Sequence, residues 1–256
     1  NYNGQGHNLT IDIAFTGEQS YAALFPQACR VIENINLHGT VKTQHNFAGS
    51  VVGDSRGGGL VLRNIYSDVT VSTSKTGDAT CGGIIGLTDA TCTLENVIFA
   101  GKVQGVEVTT YCGGICGWYS ERTTMNNVAM VGVVEGIGDD AHSFSRNPQS
   151  LISSNCWCNP NHGAPIHDNV ANLYGENDVE NGALAYALNG NTNGGENFYQ
   201  TIGTDNAPYP FTQGGHQKVY SSSSAGYRCD GMALGDVSYT NTPVGDIVLP
   251  DHQYEN

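Results

Sequence analysis

The sequence predicts an all-β protein, a right-handed parallel β-helix of about five coils, and two observations carry that prediction. A glycine-rich hexapeptide, here called the cassette, occurs at 48–53, 81–86 and 112–117, and an Asn followed by an apolar residue comes after each. Such asparagines recur at spacings of 30, 32, 31 and 28 residues: Asn34, Asn64, Asn96, Asn127 and Asn155. A period of roughly 20–50 residues is the signature of a solenoid.

The composition agrees with short strands joined by tight turns. Only 13% of the residues are charged and 34 are Gly, whereas soluble globular chains average about 25% charged residues. Long helices need Ala, Leu, Glu, Lys and Arg at helical spacing, and only one short segment approaches that pattern.

Alignment of the repeats on their asparagines predicts the inside of a coil. Positions one and three residues after the Asn would alternate with outward positions, as in a strand with one buried face. The inward columns are Ile32, Leu62, Leu94 and Met125 before the Asn (with Ser153 as the exception), then Ile35, Ile65, Val97, Val128 and Cys156, then Leu37, Ser67, Phe99, Met130 and Cys158. The Asn would occupy the turn and hydrogen-bond along the stack.

The charge balance excludes one class of partner. With 24 acidic and 10 basic residues the formal charge is −14, and phosphate binding needs clustered Lys and Arg, so nucleic acid is not expected. An acidic surface keeps a protein in solution and can also attract Ca²⁺; no other cofactor is expected. No apolar run reaches the roughly 20 residues of a membrane span. From the ends of the chain we expect an internal piece of a longer protein, or a protein processed at both ends.

The eight cysteines leave two readings open. Cys81 and Cys112 share one repeat position and would lie on adjacent coils about 4.8 Å apart, within reach of a disulfide. The alternative is a stack of free, buried thiols that act as small hydrophobes. Cys156 and Cys158 are too close in sequence for ordinary zinc-ligand spacing, so no metal site is expected.

Candidate binding residues lie where the repeat is interrupted, because loops on a rigid solenoid commonly carry binding groups. Asp139, Asp140 and His142 fall in one interruption, at 135–150. His162, His167 and Asp168 fall in a second, at 159–170. Exposed aromatic rings could stack on sugars or could close the core, and three such residues stand next to cassettes or cysteines: Trp118, Tyr119 and Trp157. No catalytic residue is predicted.

The chain divides into three predicted parts. Residues 1–172 form the β-helix, and residues 173–218 contain the one plausible helix, around 183–188, which would cover the C-terminal end of the solenoid. Residues 219–256 would form a small β-rich segment.

The cassette followed by the Asn-apolar strand resembles the GLUG-motif repeat of bacterial cell-surface proteins. The similarity covers about residues 1–160, and the segments 183–190 and 198–205 resemble a region that commonly follows such repeats. The resemblance implies a β-helix on exported proteins of gut-type bacteria, with adhesion or glycan contact, and it supplies no catalytic motif. The first cassette departs from the pattern at Ala48 and Ser50, and the last coil shows no cassette.

These observations favour a non-catalytic module that is extracellular or cell-surface. It would serve adhesion to a host or neighbouring-cell surface protein, glycan binding, or spacing within a larger exported protein. The alternative is a β-helical carbohydrate-active enzyme, a polysaccharide lyase or glycoside hydrolase, although the fold alone does not imply one. Such an enzyme would need a base, and the best basic candidates are Arg63 and Arg122. Assembly into fibres through open coil ends is a third reading.

Overall fold

A computed structural model of the chain describes residues 1–16, 20–76, 79–105, 110–119, 123–135, 142–146, 151–159, 172–175, 177–222 and 226–230. The regular secondary structure of the described part is β-strand, apart from one six-residue helix, α1 (Ala183–Leu188). Its strands are β1 (Tyr2–Asn3), β2 (Asn8–Phe15), β3 (Phe25–Gln27), β4 (Val31–Thr43), β5 (Val52–Asp54), β6 (Leu60–Ser67), β7 (Thr70–Thr73), β8 (Ala79–Gly82), β9 (Ile85–Thr88), β10 (Cys92–Phe99), β11 (Lys102–Gln104), β12 (Thr110–Gly113), β13 (Cys116–Tyr119), β14 (Thr123–Met130), β15 (Val133–Glu135), β16 (Ile152–Ser154), β17 (Trp157–Cys158), β18 (Asn172–Leu173), β19 (Val219–Ser222) and β20 (Gly226–Cys229).

The strands from β1 to β18 coil into a parallel β-solenoid, as the sequence predicts. One side is the parallel row β4-β6-β10-β14, the next is β2-β4-β7-β11-β15, and the third is β3-β5-β9-β13 with the pair β8-β12 beside it. The long strand β4 passes through a corner, because its first half pairs with β6 and its second half with β7. Each coil therefore stacks directly on the equivalent part of the next.

The solenoid has about four turns rather than five. Four full ladder strands (β4, β6, β10 and β14) each contain one of the repeated asparagines, whereas Asn155 lies between the fragments β16 and β17. The fifth Asn-apolar pair is therefore part of an incomplete coil. A sequence count of asparagines cannot distinguish a complete coil from such a fragment.

A ladder of asparagine side chains runs the length of the stack. All five repeated asparagines have a left-handed backbone, with φ between 51° and 55°, a conformation that Asn tolerates better than most residues. Each Nδ2 donates to the Oδ1 of the preceding Asn at 2.9–3.0 Å along Asn34, Asn64, Asn96, Asn127 and Asn155. Asn34 in turn donates to Asn3 Oδ1 at 3.2 Å, and Asn155 also donates to the Leu188 carbonyl at the end of α1.

The interior is filled by the aligned columns that the sequence predicts. Every member of the column one residue after the Asn is at most 1% exposed, and every member three residues after is fully buried. The polar member Ser67 is accommodated because its hydroxyl donates to Ser50 Oγ at 3.0 Å. Core packing therefore explains nearly all inward positions of the repeat.

The cassette glycines allow neighbouring coils to approach closely. A Cβ placed on Gly83 would overlap the Gly114 carbonyl oxygen and lie 2.6 Å from the Phe99 ring. The stack also continues beyond the third cassette, because Ile115 and Cys116 donate their amides to the Phe144 carbonyl and Gly114 donates to the His142 carbonyl. Residues 142–146 thus occupy a cassette position that the sequence does not reveal, which corrects the expectation that the last coil has none.

Residues 174–175 and 177–211, here called the lobe, pack along the flank of the solenoid. A second core forms between outward-facing side chains of the ladder strands and apolar side chains of the lobe; its buried members are Tyr66, Ile98, Ala129, Tyr174, Val179, Leu184, Leu188, Phe198 and Ala207. Helix α1 contributes Leu184 and Leu188 to this core, and its Leu188 carbonyl accepts a hydrogen bond from Asn155 of the last coil. That the helix covers the C-terminal end of the solenoid stays a prediction.

The C-terminal segment contributes an antiparallel hairpin of β19 and β20. Residues 231–256 of the predicted β-rich segment lie outside the described residues.

Candidate functional site

A cleft of about 570 Å³ opens where the first coils of the solenoid meet the chain that follows the second core. Its solenoid wall comes from the turn before β2, the start of β2 and the middle of β4, and its other wall comes from the loop after Tyr209. We call it the flank cleft, and its lining residues are Gly6, His7, Asn8, Asn36, His38, Tyr209, Gln213, Gly214 and His216. The lining is rich in amide and imidazole groups.

Two histidine–aspartate pairs flank this cleft. His38 Nδ1 lies 2.8 Å from Asp68 Oδ2, and His216 Nδ1 lies 2.8 Å from Asp205 Oδ2. Because an ionised carboxylate only accepts hydrogen bonds, each Nδ1 is the donor, which leaves Nε2 as the acceptor of a neutral imidazole. Asp205 is itself held in place by the Thr201 amide, which donates to Oδ2 at 2.6 Å. Both imidazoles are thus oriented by fixed partners.

A stack of three rings forms the back of the cleft. Tyr209 lies between Tyr66, at a centroid distance of 4.2 Å, and His216, at 3.8 Å and an interplanar angle of 7°. Both faces of Tyr209 are therefore occupied, and only its edge is presented to the cleft. Burial raises the pKa of Tyr66 and of Tyr209 above the ordinary value, so both phenols remain protonated at neutral pH.

Asn36 is the most buried polar side chain of the cleft, at 5% exposure. Its Nδ2 donates to Asn8 Oδ1, while no donor among the described residues reaches its own Oδ1. Buried polar atoms in proteins almost always have a partner, so an orphaned carbonyl oxygen at a cleft wall indicates a water or ligand donor there.

One end of the cleft is closed by a contact between the two walls. Gln213 Nε2 lies 2.9 Å from His7 Nδ1. Gly6, with φ of 73°, leaves room for the Gln213 side chain, because a Cβ on residue 6 would lie 2.7 Å from Gln213 Oε1. The solenoid and the loop that carries His216 are thereby joined around the site.

Three of the binding residues expected from the sequence have described side chains, and none of them lines this cleft. Trp118, on β13, is half-buried, and the Arg146 guanidinium lies 4.2 Å from its ring centroid. Trp157 packs against the second core and donates its Nε1 hydrogen to Asn155 Oδ1 at 2.7 Å. His142 continues the cassette stack through its backbone. These three residues lie in separate surroundings.

Other expected positions lie outside the described residues or are engaged elsewhere. Asp139, Asp140 and Arg122 are outside the described part, and so is the segment 160–171, which includes His162, His167 and Asp168. Of Tyr119 only the backbone is described. Arg63 lies between Glu33 and Glu95, at 3.4 and 2.7 Å, on an outward column. Arg63 is thus an ion-pair partner on the surface and does not line the flank cleft.

Cys81 and Cys112 are free thiols in this structure rather than a disulfide. They are paired in register on β8 and β12, as their shared repeat position indicates, and both are fully buried. The hydrogen bond with Cys112, together with burial, raises the pKa of Cys81. The pair therefore belongs to the packing of the interior.

The sequence did contain a signal for the flank cleft. The position two residues after the repeated Asn faces outward, yet it holds large or apolar side chains in Tyr66, Ile98 and Trp157. Apolar groups at an outward position imply that another element covers them. His38 and Asp68 each lie four residues after a repeated Asn and so share the next outward column. Their pairing therefore follows from the register, whereas their proximity to His216 depends on where the lobe packs.

The described residues contain neither a cluster of metal-binding side chains nor a helix that could span a membrane. No group of three or more His, Cys, Asp or Glu side chains in the described ranges could hold a metal ion. Within the same ranges no helix is both long and apolar enough to cross a membrane.

Comparison with known proteins supports the fold. No protein-family model and no curated protein sequence matches this chain. A crystal structure of a protein from Bacteroides ovatus, described as "a putative immunoglobulin A1 protease", is similar with a TM-score of 0.58 and 17% sequence identity, over 82% of this chain and 76% of that one. At that level of identity, the similarity shows that the two chains share a β-solenoid fold.

Proposed function

We propose that this chain is a non-catalytic carbohydrate-binding module of an exported bacterial protein, and that the flank cleft is its binding site. The observation that carries the proposal is the orphaned, buried Asn36 oxygen in a cleft otherwise lined by amides and imidazoles. The resemblance of the repeats to GLUG-motif surface proteins agrees with this function.

The chemistry of the cleft suits sugar hydroxyls. A hydroxyl both donates and accepts, and amides and neutral imidazoles offer both roles at fixed positions. The hydroxyl of a bound sugar donates to Asn36 Oδ1, and the Nε2 atoms of His38 and His216 are further acceptors. Because the histidines are oriented by Asp68 and Asp205, they lose little side-chain entropy when a ligand binds.

The test is a glycan array, run with and without Ca²⁺, on the wild-type protein and on Asn36→Ala. We expect binding by the wild type and about a tenfold loss of affinity in the variant, since one hydrogen bond is worth about 1–1.5 kcal/mol. The matched control is Asn126→Ala, because Asn126 is a half-exposed residue of β14 outside the flank cleft. Unchanged binding by Asn36→Ala, or the same loss in both variants, would contradict the proposed site.

The two histidine–aspartate pairs favour a second candidate function, acid–base cleavage of the bound glycan. An oriented imidazole with an available Nε2 is the usual general base or acid of an enzyme. A depolymerisation assay on the array ligands separates the two functions. Product release by the wild type that is lost in His216→Ala would establish an enzyme, whereas binding without products supports the non-catalytic module.

A further inference from the structure

A second depression continues the flank cleft along the stack of coils. It has a volume of about 350 Å³ and we call it the corner groove; its lining residues are Asp68, Thr70, Ala100, Gly101, Lys102, Val131, Gly132 and Val133. Asp68 lines this groove and also accepts the hydrogen bond from His38 of the flank cleft, so this histidine–aspartate pair lies where the two sites meet.

The corner groove follows one column of the solenoid. The register of the ladder strands places residues 38, 68, 100 and 131 at equivalent positions on four successive coils. Neighbouring parallel strands are about 4.8 Å apart, so the column from the first to the fourth coil is about 14 Å long. The spacing of about 4.8 Å between neighbouring coils is close to the length of one sugar residue in an extended glycan chain.

The walls of the corner groove are suited to an uncharged polar chain. The floor is made of small residues, and Ala100 and Val131 pack on one side against the second core, so this side of the groove borders that core. Thr70 supplies a hydroxyl, Val133 presents an apolar surface at 37% exposure, and Lys102 is paired with Glu135 at 3.0 Å. The protein carries a formal charge of −14, which disfavours a polyanionic ligand.

We propose that the flank cleft and the corner groove form one binding site for a linear, neutral glycan of about four residues, which lies parallel to the axis of the coils. This inference rests on the proposed carbohydrate-binding function and adds the shape and the charge of the ligand. The end of the chain occupies the flank cleft, where its hydroxyls meet Asn36 and the histidines. The following residues lie over Thr70, Gly101 and Val133, one residue to each coil.

The test is isothermal titration calorimetry with β-1,4-linked gluco-, xylo- and manno-oligosaccharides, each from the disaccharide to the hexasaccharide. We expect the affinity to rise with each added residue up to about the tetrasaccharide and then to stay constant. Val133→Arg fills the corner groove from an exposed position, so it should lower the affinity for the tetrasaccharide by tenfold or more and leave that for the disaccharide unchanged. Val61→Arg is the matched control, because Val61 is an outward-facing valine of β6 that lines neither site.

The outcomes separate this inference from the proposed function. Equal affinity for the disaccharide and the hexasaccharide, or binding of branched or terminal sugars alone, would overturn the linear site and leave the flank cleft as a sugar site. The linear site is also overturned if Val133→Arg binds the tetrasaccharide with the affinity of the wild type. If the wild type binds no saccharide in the series or on the array, the proposed function itself fails. Tighter binding of polyuronates than of neutral chains would refute the inference that the ligand is uncharged.

Discussion

The asparagine ladder should be a measurable source of stability, and Asn96→Ala tests it at the centre of the stack. Asn96 donates to Asn64 at 3.0 Å and accepts from Asn127 at 2.9 Å, so the substitution removes two hydrogen bonds and leaves two half-buried amide groups without their partners. Each bond contributes about 1 kcal/mol. The backbone at φ 55° adds about 1 kcal/mol more, because Ala adopts the left-handed region at a cost. We expect a total loss of about 3 kcal/mol in the free energy of unfolding.

The backbone contribution can be measured separately at Asn191. That residue is exposed and has φ of 58°, but it takes no part in the ladder. Asn191→Ala should therefore cost about 1 kcal/mol, the left-handed contribution alone. Guanidinium chloride unfolding followed by far-ultraviolet circular dichroism and tryptophan fluorescence gives both values, and coincident transitions check two-state behaviour. If Asn96→Ala destabilises the protein no more than Asn191→Ala does, the ladder contributes nothing and the reasoning fails.

Three further predictions concern the cores and buried ionisable groups. Cys29 is the one cysteine that is not buried, and burial raises the pKa of Cys116 to about 12. A thiol reagent should therefore modify one thiol rapidly in the native protein and all eight in denaturant. Rapid modification of several thiols in the native protein would contradict the packing. Phe198→Ala should cost about 3–5 kcal/mol in urea unfolding, because the ring is fully buried in the second core; a cost below about 1 kcal/mol would mean that the lobe is loosely attached. Burial raises the pKa of Asp54 despite the neighbouring Arg56. The stability that the Asp54 carboxyl contributes is therefore present at low pH and lost as the pH rises through its folded-state pKa. Asp54→Asn should gain stability relative to the wild type as the pH rises above the ordinary carboxyl pKa, with no such trend if the carboxyl is unperturbed.

The flank cleft shows why the residues of a candidate site were harder to predict than the fold. The interruptions of the repeat pointed to 135–150 and 159–170, on the general rule that loops carry binding groups. The structure instead forms a cleft from regular positions, such as His38 on β4, and from residues far along the chain, such as His216. Neither residue stands out alone, because a single His in a strand or loop has many ordinary roles.

The sequence by itself determined the coil. A period near thirty residues, the Asn at each corner, the inward columns and the cassette glycines all follow from local rules, since side-chain alternation and backbone conformation depend on near neighbours. In-register stacking then repeats those rules, which is why the columns and the pairing of Cys81 with Cys112 could be placed from the sequence.

Only the tertiary structure decided where the lobe and the residues described after it lie, and how many coils are complete. The lobe packs on the flank because Tyr66, Ile98 and Ala129 present apolar surface outward, and that surface is more favourably buried than left in water. The resulting contacts join residues more than a hundred positions apart, as in the pair His7 and Gln213. No periodicity encodes such a contact, because it depends on the docking of two finished surfaces rather than on the spacing within either one.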